Sequence, residues 1–114
     1  MTTNALYEAI LADLIEVERI TEGKIQAVIG RRADTLVSLL QEQIDPMYRL
    51  NTRTLEMGGL SESEKAELKT HITRWASREE HLADLIEQHL GYIAYLRELL
   101  GIGHQERPGL NLGL

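Results

Sequence analysis

The sequence predicts an all-α protein, an antiparallel bundle of about three long helices whose third is coiled-coil-like. Three observations carry that expectation. From Leu68 to Leu100 the positions Leu68, Ile72, Trp75, Glu79, Leu82, Ile86, His89, Ile93, Leu96 and Leu100 follow alternating spacings of four and three, and all but Glu79 and His89 are apolar. A 3.5-residue period is the mark of a helical seam. Glycines at Gly30 and at Gly58-Gly59 divide the chain into three helical stretches. The apolar residues are chiefly Leu, Ile, Val and Ala, with one Trp, four Tyr and no Phe, which suits helix-on-helix packing better than a sandwich or an enzyme cavity.

The first helix opens near Asn4, whose side chain suits an N-cap. It carries Leu6, Ile10, Leu14 and Val17, then Ile25, Val28 and Ile29, at helical spacing. Gly30 with Arg31 and Arg32 reads as its C-terminal stop, the arginines being accounted for by the helix dipole. Gly23 lies inside and costs about 1 kcal/mol against alanine. The second helix runs roughly from Asp34 to Met57 through Leu36, Leu40, Ile44, Met47 and Leu55, and Pro46 either bends or breaks it. Ser61 followed by Glu64 is a capping box that opens the third helix. Gly101 and Gly103 close that helix. The organisation is one bundle domain over residues 1–100 and a flexible Gly/Leu tail over 101–114.

Eighteen acidic against twelve basic residues leave a net charge of −6, which argues against nucleic acid and anionic membrane as partners. Without cysteine there is no disulfide framework, thiolate nucleophile or cysteine zinc site. The opening MTTNALYEAI lacks the pattern of a signal peptide, and no stretch approaches the ~18 consecutive apolar residues of a membrane span. The expectation is a cytoplasmic protein without membrane insertion.

Helix lengths point to a surface. At ~1.5 Å per residue the third helix spans about 58 Å and the first two about 36 Å each. If the second and third pair antiparallel from the Gly58-Gly59 turn, the part beyond about Leu85 outruns its partners. That part carries Ile86, Leu90, Tyr92, Ile93, Tyr95, Leu96, Leu99 and Leu100. Leaving its aliphatic residues in water forgoes on the order of 10 kcal/mol. Two outcomes stay open: the first helix or the tail covers this end, or it binds an amphipathic helix from another chain.

Residues that would carry catalysis do not assemble into a pattern. His71, His81, His89 and His104 match neither a zinc-protease motif nor the Glu-x-x-His pairs of a di-iron bundle, so no catalytic, cofactor or metal residue is assigned. His89 reads as a hydrogen-bonded seam residue. Glu79, the other polar seam position, reads as paired with an arginine or as a register mark. Trp75 reads as the largest anchor of the core.

The stretch LYEAILADLIEVERITEGKIQAVIGRRADTLVSLLQEQ and the closing HLGYIAYLRELLG resemble the FlgN-like chaperones, which escort hook-associated proteins to the flagellar type III export apparatus. The resemblance implies a bundle of long helices that binds the C-terminal helical segments of its clients and keeps them export-competent, with no catalysis and no cofactor. It places client binding on Leu82 to Leu100: Leu82, Ile86, Leu90, Tyr92, Ile93, Tyr95, Leu96, Leu99 and Leu100. The tail departs from the family, reading GLNLGL in place of an aromatic-glycine ending. Two further readings of the residues remain, a self-associating structural or regulatory coiled coil that forms a homo-oligomer, and a carboxylate-bridged metal enzyme, which elemental analysis would test.

Overall fold

A computed structural model describes residues 3–101, and the side chains of residues 3, 4, 92, 93 and 95 lie outside that description. Helix α1 spans Thr3–Ile29, α2 Ala33–Glu42, α3 Ile44–Arg53 and α4 Glu62–Leu100, with a 3-10 turn over Thr54–Gly59 ahead of α4. The fold is the all-α helical bundle that the sequence predicts, a rod 61 Å long and 22 by 21 Å across. No helix among the described residues is long and apolar enough to cross a membrane. The tail expected over 101–114 begins with Gly101, and residues 102–114 lie outside the described residues.

Cross-links give the helix directions. Tyr7 donates to Glu67, Arg74 to Glu18 and Arg78 to Glu22, so positions advance together along α1 and α4, which run parallel. Asp13 accepts from Arg49 and Arg53 while Arg19 reaches Glu42, so the α2–α3 arm runs antiparallel to α1. Leu6, Ile10, Leu14 and Val17 of α1 join Leu50, Leu60 and Leu68 in one buried cluster. Trp75 packs at its edge, half-buried, instead of anchoring its centre, because its indole Nε1 donates to the Thr21 hydroxyl 3.0 Å away.

Boundaries follow local chemistry. Glu64 N–H donates to Ser61 Oγ at 3.1 Å and Ser61 N–H to Glu64 Oε1 at 3.0 Å, completing the capping box. Gly101 closes α4 with φ 72°, the left-handed conformation that glycine adopts without a Cβ clash. Asn4 lies within the first turn of α1, already helical at Thr3, and so is not its cap. Gly23 has a local purpose: a Cβ there would stand 3.0 Å from a methyl of Leu39, so the glycine lets α2 seat closely on α1.

Pro46 splits the second helix. It lies in the first turn of α3, where the absent N–H has no intrahelical partner to lose, and Gln43 joins the two pieces at φ −75°, ψ −13°. This arm also differs from expectation in its face. Leu39, Pro46 and Leu50 are buried, whereas Leu40, Ile44, Met47 and Leu55, the apolar residues that traced this helix in the sequence, are exposed. Two apolar sets interleave along the arm, and spacing within a helix does not say which set meets α1.

One partly buried polar centre joins α1, α4 and the α2–α3 junction. Lys24 Nζ on α1 lies 3.1 Å from Glu79 Oε2 on α4 and donates to Gln43 Oε1 at 2.6 Å. The Thr21 hydroxyl donates to Glu79 at 2.6 Å. The partner of Glu79 is therefore a lysine and not the arginine expected.

The α1–α4 interface carries a row of carboxylates held by cations. Burial pulls the Glu18 carboxyl upward, but hydrogen bonds from Arg74 and His71 outweigh it and hold the group below its ordinary 4.5. The Arg78 hydrogen bond lowers Glu22 against a smaller burial penalty. Folded values below unfolded ones mean stability that is present above the unfolded value and lost as pH falls through the folded one. The urea midpoint is expected to hold down to about pH 5 and to fall below about pH 4.5, and Glu18→Gln should flatten that acid limb. An acid limb of unchanged slope in Glu18→Gln would show that the Glu18 pair contributes nothing.

Candidate functional site

Helix α4 keeps its seam phase after it leaves the bundle. Leu68, Trp75, Leu82, His89 and Leu96 recur every seven residues on one face. Leu68 and Leu82 are buried, and Trp75 and His89 are half-buried. The last turn of α1 lies beside Ile86, His89 and Leu90. Beyond Leu90, α4 continues for another ~15 Å. Along that overhang Leu90 is 56% exposed, Leu96 36%, Leu99 64% and Leu100 70%.

The predicted docking residues therefore divide. Leu90, Leu96, Leu99 and Leu100 present apolar surface, and Ile86 is half-buried where the overhang begins. Leu82 is a correction, since it is 5% exposed and belongs to the interior, below the point where α1 ends. The side chains of Tyr92, Ile93 and Tyr95 lie outside the described residues. Ile72, at the other end of the seam, is at its margin and partly exposed.

At the root of the overhang the bundle opens into an apolar groove of about 250 Å³. Ala27 and Val28 of α1, Ala33 and Leu36 of α2, and Ile86, His89 and Leu90 of α4 line it, with Arg31 and Arg32 at its rim. Those arginines stand there because of how α1 ends. Arg32 N–H bonds to Ala27 O at 2.8 Å and Arg31 N–H to Val28 O at 3.1 Å, the paired hydrogen bonds of a Schellman stop. The left-handed residue is Arg31, φ 57°, one position after Gly30. A side chain in that conformation costs roughly 1–2 kcal/mol, partly offset by a cation at a helix C-terminus.

Chemically, the surface offers apolar area at helical spacing beside a cationic rim. Among the described residues no group of three or more His, Asp or Glu is arranged to hold a metal ion. Leu90, Leu96 and Leu100 can receive the apolar stripe of an amphipathic helix, with the groove taking a side chain at one end. Sequence reasoning missed the α1 and α2 contributions, because periodicity within each helix carries no information on which helix ends meet. Comparisons with family models, with curated proteins and with solved structures each found no match.

Proposed function

We propose that this chain is a flagellar export chaperone that binds the C-terminal helical segments of hook-associated proteins and keeps them unassembled and export-competent in the cytoplasm. The observation that supports the reading is the overhang: a helix whose seam, in unbroken phase, passes from a packed core to exposed leucines. The FlgN-like pattern of the sequence supplies the client class. Binding consists of burying a client helix against the seam residues Leu96 and Leu100, with Leu90 and Leu99 flanking the seam on its two sides, and involves no catalytic step and no cofactor. Affinity comes from apolar area, and selectivity from charges at the margin.

The test is calorimetric titration with a synthetic peptide spanning the last helical segment of a hook-associated protein. Leu96→Asp with Leu99→Asp places one charge in the seam and one on its flank. It is expected to weaken binding at least ~100-fold, since two buried leucines contribute about 3 kcal/mol or more between them. Far-UV circular dichroism should be unchanged, because neither side chain packs in the bundle. Equal affinity in the double variant would overturn the site. No binding of the peptide by the parent chain would overturn the client class.

A further inference from the structure

We infer that α4 has two alternative C-terminal stops, the one it uses at Gly101 and a second at Gly91, so that the overhang folds and unfolds as a single segment. Gly91 is helical and exposed, and a Cβ built on it meets no atom within 4 Å, whereas Gly101 stands in the left-handed region at φ 72°. Neither space nor backbone geometry requires a glycine at position 91. Inside a helix it disfavours the folded form about 5-fold against alanine. The weak point coincides with the end of support from α1. The last turn of α1 lies beside Ile86, His89 and Leu90, and the ion pairs that tie α4 to α1 at Arg74, Arg78 and Glu79 come earlier.

The residues around Gly91 repeat those around the stop in use. Such a stop sets a left-handed glycine after the last helical residue, and the apolar residue that follows packs back on one a turn earlier. At Gly101 the pattern is Leu96, Gly101 and Ile102; at Gly91 it is Ile86, Gly91 and Tyr92, at the same spacing. Leu90 then stands where Leu100 stands before Gly101. A helix that ended anywhere between would have crossed Gly91 at a cost without reaching the cap at Gly101. Intermediate lengths are therefore disfavoured, and α4 is helical either to Leu100 or only to Leu90. In the short form Leu96, Leu99 and Leu100 no longer share a helix face. The surface that the docking reading uses is withdrawn, and a partner that binds the helical overhang draws α4 to its long form.

The test uses the full chain without any partner, so its failure is distinct from failure of the docking reading. Amide hydrogen exchange, followed residue by residue by NMR, should show a step along α4. Amides of residues 95–100, which bond back to residues 91–96, are expected to share one protection factor far below that of the amides between Leu68 and Leu82. Gly91→Ala should raise that shared value at least about 5-fold, because alanine is the better residue in a helix and the poorer at a left-handed stop. Amides between Leu68 and Leu82 should not change, since the open space at Gly91 leaves the bundle untouched. A D-alanine at position 91, introduced by chemical ligation, favours the left-handed stop and should lower the shared value below that of the parent. Protection that declines evenly from Leu90 to Leu100, no rise in Gly91→Ala, or a D-alanine chain protected as well as the parent would each overturn the proposal.

Discussion

Glu79→Leu is expected to cost about 3–5 kcal/mol, a large share of the stability of a bundle this size. The reason is what it leaves behind. Lys24 has a side chain 4% exposed, and its ammonium would keep the neutral Gln43 oxygen at 2.6 Å but lose its countercharge. Lys24→Met is milder, about 1–2 kcal/mol, because Glu79 is about a third exposed and regains water when its partner goes. The double variant Lys24→Met, Glu79→Leu should return to within about 1 kcal/mol of the parent, since apolar groups of similar size can replace a buried ion pair. Urea unfolding of the four proteins at pH 7 measures the coupling. Additive single effects would mean that Lys24 reaches solvent when Glu79 is absent.

That centre also shows where sequence reading stops. Glu79 stood out as a polar residue in an apolar seam, so the need for a partner was legible. Its partner was not, since nothing local distinguishes Lys24 from an arginine as the group that arrives from another helix. The capping box at Ser61 and Glu64 and the glycine at Gly101 were legible because both are satisfied within a few residues of chain. The outward set on the α2–α3 arm was visible as apolar residues at helical spacing, but that it faces away from α1 was not, because Leu39, Pro46 and Leu50 compete with it along the same arm. The split of that arm at Gln43 depends on Pro46 entering a new first turn, an outcome that Pro46 shares on paper with a kink. The overhang was the most legible part of the surface, for helix lengths pointed to it, although the partner α4 outruns is α1 and not the second helix, which packs on α1 instead. Its lower limit, set near Leu85 by those lengths, agrees with the half-buried Ile86, whereas Leu82, brought in by the family resemblance, falls inside the bundle by about one helical turn.

Leu68 and Leu96 put that distinction to the strongest test, because they are the same residue at the same heptad position of the same helix. Leu68 is completely buried in the cluster where α1, α3 and α4 converge. Leu68→Ala is expected to cost about 3–5 kcal/mol, the lost transfer energy plus a cavity in the cluster it shares with Leu6, Ile10, Leu14, Val17, Leu50 and Leu60, which helices cross-linked by ion pairs cannot easily collapse. Leu96 lies past the end of α1 and 36% exposed, so Leu96→Ala should leave the urea midpoint within about 0.5 kcal/mol of the parent. On binding of the client peptide the order reverses. Leu96→Ala should weaken affinity roughly 10-fold or more, whereas Leu68→Ala, assayed well below its unfolding transition, should bind as the parent does. A seam fixes which face of a helix is apolar, and only the lengths of its neighbours decide whether that face stabilises the fold or waits for a partner. Equal stability losses at the two positions would mean that the overhang is packed within the protomer, and the docking surface would then have to lie elsewhere.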